Sequence, residues 1–512
     1  MITQYRIIHD TYQDSVQLMR VASDVSEISG VSNAEALMGT PSNRERLVES
    51  AQLTTEELED VGPDDVLLIA EAPDDHTATE AVEAMASKLH TAESPANETS
   101  EMKPQSIRRA AGDMANPQVA SISVPGEYAT KVAWNALHEG LHVHLFSDNV
   151  PLADEKALKT TAQEMDRLVM GPDCGTAIVD GHPFGFANEV SSGSIGLVAA
   201  SGTGLQAVSS RISRRGGGIS QAVGTGGRDL TEHIEAKTTQ TALNMLDDDP
   251  ETDVIVIISK PPSDAAVEAV SASLEDAKTP VIAHFQGTTK NYDNVQMTET
   301  LADTADIALE QSGIEPSVTD SRLPDSQLKT AVNSLSAEKR WVRGLFTGGT
   351  LCTEAALTLA ESGKQIQSNV GIGEPVSDPA SPSGHAVLDL GTDDLTAGRP
   401  HPMIDLTLRN NLFRQALEDP SVGIIILDVV LGHGAHEDPA GALANVLDTT
   451  ESDSLVIASV CGTDEDPQHR TSQIETLETA GIFVAESNAT AARHVADAIS
   501  NSTSHPVEGG SQ

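Results

Sequence analysis

Aromatics, cations and cysteines are all scarce in this chain. Phe, Trp and Tyr make up 3% of its 512 residues, 31 Lys+Arg stand against 77 Asp+Glu for a formal charge of -46, and cysteine occurs three times. With so few cations there is no basic stripe with interleaved aromatics, which excludes a nucleic-acid surface and disfavours an anionic membrane. The cysteines, Cys174, Cys352 and Cys461, are odd in number and show no CxxC spacing. That argues against a disulfide frame or a zinc site and predicts three buried free thiols. No apolar run approaches the ~20 residues of a membrane helix. The opening MITQYRIIHDTYQDS has no basic segment leading into an apolar one, so a soluble, cytoplasmic protein is expected.

What is present is a dense carboxylate surface over a core of Ala, Val, Leu and Ile. At about 1 M salt the Debye length falls to about 3 Å, so such charges no longer repel at long range. A halophilic host is the reading that follows. At ~150 residues per domain the length allows about three domains.

Alternating strand-like and helix-like segments predict a multi-domain α/β protein with parallel sheets covered on both faces. Residues 1–72 read as an N-terminal α/β segment and 73–116 as a connector. Residues 117–190 read as a strand-helix-strand domain, with 1–72 as a candidate completion. Two further α/β domains are expected over 191–318 and 341–500, joined by a linker at 319–340, and 501–512 is expected to be a disordered tail. The two later domains form an internal repeat. IGLVAASGTGLQAV is echoed by VRGLFTGGTLCTEAAL, DDPETDVIVIISKPPSDAAVEAV by EDPSVGIIILDVVLGHGAHEDPAGAL, and TPVIAHFQGTT by DSLVIASVCGTD.

In the first repeat, Ser201, Gly202, Thr203 and Gly204 lie between strand and helix, where free amides, hydroxyls and glycines make either a phosphate or carboxylate cradle or an ordinary capped turn. A second glycine cluster, GTGGRD, adds Gly226, Gly227 and Arg228, the arginine expected to reach a ligand. Lys260 follows the next strand at the edge where doubly wound sheets bind ligands, or is a solvated loop lysine. The second repeat offers Thr347, Gly348, Gly349 and Thr350 as the matching cradle. An insertion beyond it, TAGRPHPMIDLTLRNNLF, holds Arg399, His401, Asp405 and Arg409. It reads either as a recognition segment for a planar anion or as a turn shaped by Pro400 and Pro402. In LDVVLGHGAHEDPAGAL, His433 and His436 are candidate anion donors or proton relays. A glycine turn with histidines three apart fixes no metal geometry, so no metal site is expected.

These motifs carry a resemblance. GPDCGTAIVDGHPFGFANEVSSGSIGLVAASGTG, GISQAVGTGGRDL and TDVIVIISKPP resemble the CoA-binding and ligase domains of the succinyl-CoA synthetase α subunit, and the second repeat resembles the ligase domain closing its β subunit. With FSDNV, VMGPDCGT, FTGGTL, GRPHPMID and TLRN added in order, the chain is similar to FdrA-family proteins over nearly its whole length. The resemblance implies a Rossmann-like CoA-binding-type domain followed by two flavodoxin-like ligase-type domains, with two helix N-termini facing one site. It also implies an oxamate carbamoyltransferase large subunit, exchanging oxalurate and phosphate for oxamate and carbamoyl phosphate, with two smaller partner subunits.

Two departures qualify this. The synthetase loop that passes phosphate through a histidine would follow VIAHFQGTT, where this chain reads KNYDNVQMTET. There is also no room for a nucleotide-binding ATP-grasp domain. CoA and carbamoyl phosphate are the candidate ligands, and a small anionic substrate is expected. Arg399, His401 and Arg228 are the candidate catalytic set, with Arg399 and His401 orienting the second substrate. The competing readings are an acyl-CoA synthetase acting with a separate nucleotide-binding subunit, and a noncatalytic scaffold for an anionic metabolite.

Overall fold

The computed structural model describes every residue except 1, 10, 12, 14, 27, 29, 50, 51, 59, 93–103, 289, 316–329, 331–338, 397, 398 and 502–512. Nearly all of the expected tail and most of the expected linker therefore lie outside the described residues. Two compact units are formed, one from Met1–Lys103 with Thr396–Asp405, the other from Pro104–Leu395 with Leu406–Gln512. Among the described residues no helix is long and apolar enough to cross a membrane.

In the first unit, β1 (Ile2–Ile8), β2 (Asn33–Met38) and β3 (Val66–Ala72) form an antiparallel sheet with β3 in the centre. Because side chains alternate along a strand, β3 feeds two cores. Val66, Leu68 and Ala70 pack with Leu18, Val25 and Met85, and Leu67 and Ile69 pack with Leu47, Leu53 and Leu58. Among the described residues this sheet pairs only within itself. The expected connector begins with an 18-residue helix, Asp75–Ala92.

In the second unit, β4 (Val119–Ile122), β5 (His142–Leu145) and β6 (Val169–Met170) make a small parallel sheet with crossover helices Gly126–His138 and Leu152–Glu164. The expected boundary at 190 moves earlier. The antiparallel pair β7 (Thr176–Val179) and β8 (His182–Gly185) joins the next sheet, where Ile178 pairs with Ala222.

That next sheet contains β9 (Ser192–Ala199), β10 (Ile219–Gly224), β11 (Val254–Ser259), β12 (Val281–Phe285) and β13 (Val295–Met297) in the order β13-β12-β11-β9-β10-β7-β8. The last sheet contains β14 (Trp341–Phe346), β15 (Ile366–Ser368), β16 (Glu374–Pro375), β17 (His385–Asp389), β18 (Val422–Val430), β19 (Leu455–Cys461) and β20 (Phe483–Ala485), ordered β16-β15-β17-β14-β18-β19-β20. Read from the other end, it repeats the first arrangement: β20, β19, β18, β14 and β17 stand where β13, β12, β11, β9 and β10 do. The sequence repeat is thus a repeat of strand order. All nine residues of β18 are buried, as a strand covered on both faces requires. Cys174, Cys352 and Cys461 are buried and unpaired.

Candidate functional site

Each ligase-type sheet sends a helix out from the carboxyl end of its central strand, Gly202–Arg214 after β9 and Gly349–Ala360 after β14. The two N-termini meet. Ser201 Oγ hydrogen-bonds Thr350 Oγ1, and Gln286 Nε2 donates to the Thr350 carbonyl at 2.8 Å. A Cβ on Gly348 would lie 2.8 Å from Thr203 Cγ2, so only glycine permits this approach. The first cradle has the geometry read from its sequence: Ser201 caps the helix, its Oγ accepting from Gly204 N at 2.9 Å. The amides of Gly202 and Thr203 remain as first-turn donors with no acceptor inside the helix. Ser201→Ala removes both the cap and the hydroxyl contact between domains, and is expected to cost about 1–2 kcal/mol. Urea unfolding at fixed salt measures it, and an unchanged midpoint would show that neither bond contributes.

The second cradle differs from its sequence reading. Asp428 of β18, fully buried, already accepts from Thr347 N at 2.8 Å, from Thr347 Oγ1 at 3.1 Å and from Gly348 N at 2.8 Å. Burial pushes its carboxyl above the usual range, while those donors and the Arg409 guanidinium hold it down. An internal carboxylate thus fills half of the turn, leaving Gly349 and Thr350 as its open end. Asp389, at the end of β17, stands beside that end.

Arg409 is 1% exposed, its Nη1 donating to the Asp428 carbonyl at 3.0 Å while Nε and Nη2 have no hydrogen-bond partner among the described residues. Burial pulls its pKa down to about 10, opposed by Asp428. Lys260 is exposed and acts electrostatically on Asp389 from the other domain.

Other residues read as ligand-facing have structural partners. Arg228, expected to reach a ligand, has partners within the fold: Nη2 bonds the buried Glu155 at 2.8 Å and the Val150 carbonyl at 2.9 Å. Gly226 has φ +81 and its Cβ would lie 2.4 Å from the Pro172 carbonyl, so the glycine serves the close packing of that loop. Its neighbour Gly227 is exposed, with nothing within 4 Å of a Cβ. His433 Nε2 pairs with Glu189 at 2.6 Å across the two ligase-type domains. Outside that set, Arg211 on the helix Gly202–Arg214 grips Asp306 through Nε (2.9 Å) and Nη2 (2.8 Å) and also reaches Glu486, a domain-to-domain clamp.

Arg399 and His401 belong to the compact unit of residues 1–103, whereas both cradles belong to the other. Arg399 is exposed. His401 Nδ1 accepts from Met403 N at 3.2 Å inside the proline turn, and burial pulls its pKa down to about 4, leaving it neutral. Asp389 and Asp428 were missed by reasoning from motifs. Their signal was a carboxylate inside a continuous apolar run, AVLDLG and IIILDVV.

Residues 345–498 match the family described as CoA-ligase, and residues 1–105 match the one described as AllF, heavy metal-associated domain. All three cysteines lie outside the latter segment. The Escherichia coli K12 protein YahF is 36% identical over 499 residues, covering 94% of this chain and 95% of YahF. The chain belongs to the YahF family. Succinate–CoA ligase [ADP-forming] subunit alpha 1 of Archaeoglobus fulgidus is 27% identical over 178 residues, or 34% of this chain and 60% of that subunit. The corresponding alpha subunit of Methanothermobacter thermautotrophicus is 29% identical over 177 residues, 33% of this chain and 57% of its own. This chain thus spans less than two thirds of those subunits. Among solved structures, acetyl-coenzyme A synthetase 1 of Ca. Korarchaeum cryptofilum shares 17% identity at a TM-score of 0.30, over 80% of this chain and 87% of that one, a level from which no function follows. The ligase-type sheets are therefore of the succinyl-CoA synthetase kind, in a chain that carries an AllF-type domain ahead of them.

Proposed function

We propose that this protein is the acyl-transfer core of an acyl-CoA-ligase-type enzyme, moving an acyl group between inorganic phosphate and an acceptor with the help of separate subunits. The observation that carries the reading is the meeting of two helix N-termini at Ser201 and Thr350, with the amides of Gly202 and Thr203 open and Lys260 at the rim. A phosphate oxygen attacks the acyl carbon, the bond to the leaving atom breaks, and the proton leaving phosphate ends on the leaving group. Fixed donors and a lysine at the developing charge are what such a step needs.

Phosphate in this scheme stays free rather than carried on the chain. The segment after β12, residues 290–300, contains no histidine. His284 within β12 is buried, with Nδ1 near the Thr298 carbonyl at 3.3 Å, and burial lowers its pKa. A narrower reading has the carbamoyl group as the acyl group, with oxalurate and phosphate exchanging for oxamate and carbamoyl phosphate. The FdrA-type motif set and the missing histidine favour it.

The test is phosphate-dependent consumption of oxalurate and, separately, of succinyl-CoA by the full chain with candidate partner subunits, in molar KCl to suit the acidic surface. Turnover of either without a phosphorylated protein intermediate is expected. A phosphoprotein, or consumption independent of phosphate, would overturn the scheme.

A further inference from the structure

We infer that Asp389 is the acid–base group of this site: it takes up a proton when a phosphate-like dianion binds beside it, and hands that proton to the leaving group during transfer. The inference rests on the anion site proposed above and adds to it the residue that moves the proton.

Asp389 is clamped where it stands. Its backbone N donates to Asn369 Oδ1 at 2.8 Å and its carbonyl accepts from Asn369 Nδ2 at 2.7 Å. Oδ1 is held by the amide of Gly391 at 2.9 Å. Oδ2 reaches the helix beginning at Gly349, where a Cβ would lie 2.6 Å from it. The turn therefore has two carboxylates with different duties. Asp428 is committed to Thr347 and Gly348, whereas Oδ2 of Asp389 faces the open end of the same helix.

A second feature points to an anion here. Buried Arg409, bonded to the Asp428 carbonyl, has no acceptor for Nε and Nη2 among the described residues. That is the edge by which Arg211 grips both oxygens of Asp306. The guanidinium interacts with Asp428 and keeps two buried donors without an acceptor, the edge that suits an anion.

The titratable groups facing Asp389 are Asp428 from β18, Lys260 from the turn after β11 and the Cys352 thiol of the helix beginning at Gly349. Burial pushes its carboxyl up to about 6, Asp428 adds to the rise, and the Gly391 amide and Lys260 restrain it. A dianion beside an ionised Asp389 meets repulsion, but the protonated carboxyl donates it a hydrogen bond. Binding and protonation therefore favour each other reciprocally. In the reaction, protonated Asp389 gives its proton to the leaving atom as the phosphate oxygen attacks the acyl carbon and the old bond breaks; the ionised carboxylate then takes the proton left on the new acyl phosphate, so Asp389 ends as it began and no proton is gained or lost overall.

Sulfate, a dianion whose charge is constant from pH 5 to 8, tests this without any need for turnover. Calorimetry on the full chain at fixed KCl, in two buffers of different ionisation enthalpy, reads affinity and proton uptake together. Below about pH 6, Asp389 is already protonated, so affinity is flat; above it, affinity should fall by up to about tenfold per pH unit, with approach to one proton taken up. Asp389→Asn should bind sulfate with the low-pH affinity throughout and take up no proton. Lys260→Met should bind more weakly at every pH and keep the slope. Failure of the wild-type chain to bind sulfate would overturn the anion site and this inference with it. Sulfate binding without proton uptake, or with the slope intact in Asp389→Asn, would overturn the role of Asp389 alone and leave the site standing.

Discussion

Lys159→Met is expected to lower the unfolding free energy by about 3–5 kcal/mol. The lysine side chain is 0% exposed, and its Nζ lies 2.9 Å from Glu155 Oε1, 2.8 Å from Asp229 Oδ1 and 2.8 Å from the Thr225 carbonyl. Methionine fills much the same volume, so packing survives while two buried carboxylates lose their shared cation. Asp229 keeps the Thr238 and Thr239 amides and the Thr239 hydroxyl, and Glu155 keeps Arg228. Those bonds limit the loss but do not replace the charge. Urea unfolding at constant salt reads the stability, and Glu155→Gln in the same chain should recover part of it, because the two changes share one network. A loss below about 1 kcal/mol would mean that the carboxylates find water once the lysine is gone.

Asp428→Ala is expected to cost a similar amount, about 3–5 kcal/mol, for the opposite reason. Here the cations and donors are what remain. The amides of Thr347 and Gly348 lose their acceptor inside a closed turn, and Arg409 loses the charge that supports its own. Asp428→Asn keeps one acceptor oxygen but turns an amino group toward an amide donor, so it should recover only part of the loss. Sulfate titration of both variants separates two effects: a turn that has collapsed binds nothing, whereas a turn merely freed of its internal carboxylate gains an anion at Thr347 and Gly348. Full stability in Asp428→Ala would show that the turn does not depend on this carboxylate.

Much of the architecture was legible in the chain because it is local. Short β-branched apolar runs such as VIVIIS and VGIIILDVV read as strands buried on both faces, and Ser201 before Gly202–Arg214 is a cap by its chemistry. The repeat was legible as paired strings of residues and returns as one strand order in two sheets. The site was legible only in part. Ser201–Gly204 and Thr347–Thr350 lie together as read, yet Arg228 and His433 are engaged by Glu155 and Glu189. Arg228 beside a glycine cluster pointed to a ligand, but in a chain with 31 Lys+Arg against 77 Asp+Glu an arginine pairs as readily with a carboxylate.

Composition, periodicity and the repeat by themselves determined the acidic surface, the α/β class, the parallel order and the two small-residue turns, because each follows from residues within one strand-turn-helix unit. Tertiary structure alone decided which turn is open. Asp428 reaches Thr347 across 81 positions, Asp389 meets Lys260 from another domain, and Thr396–Asp405 leaves its sequence neighbours to join residues 1–103. A carboxylate in a strand can cap a turn, carry a proton or pair with a cation, and which it does depends on what the fold sets within about 3 Å of its oxygens.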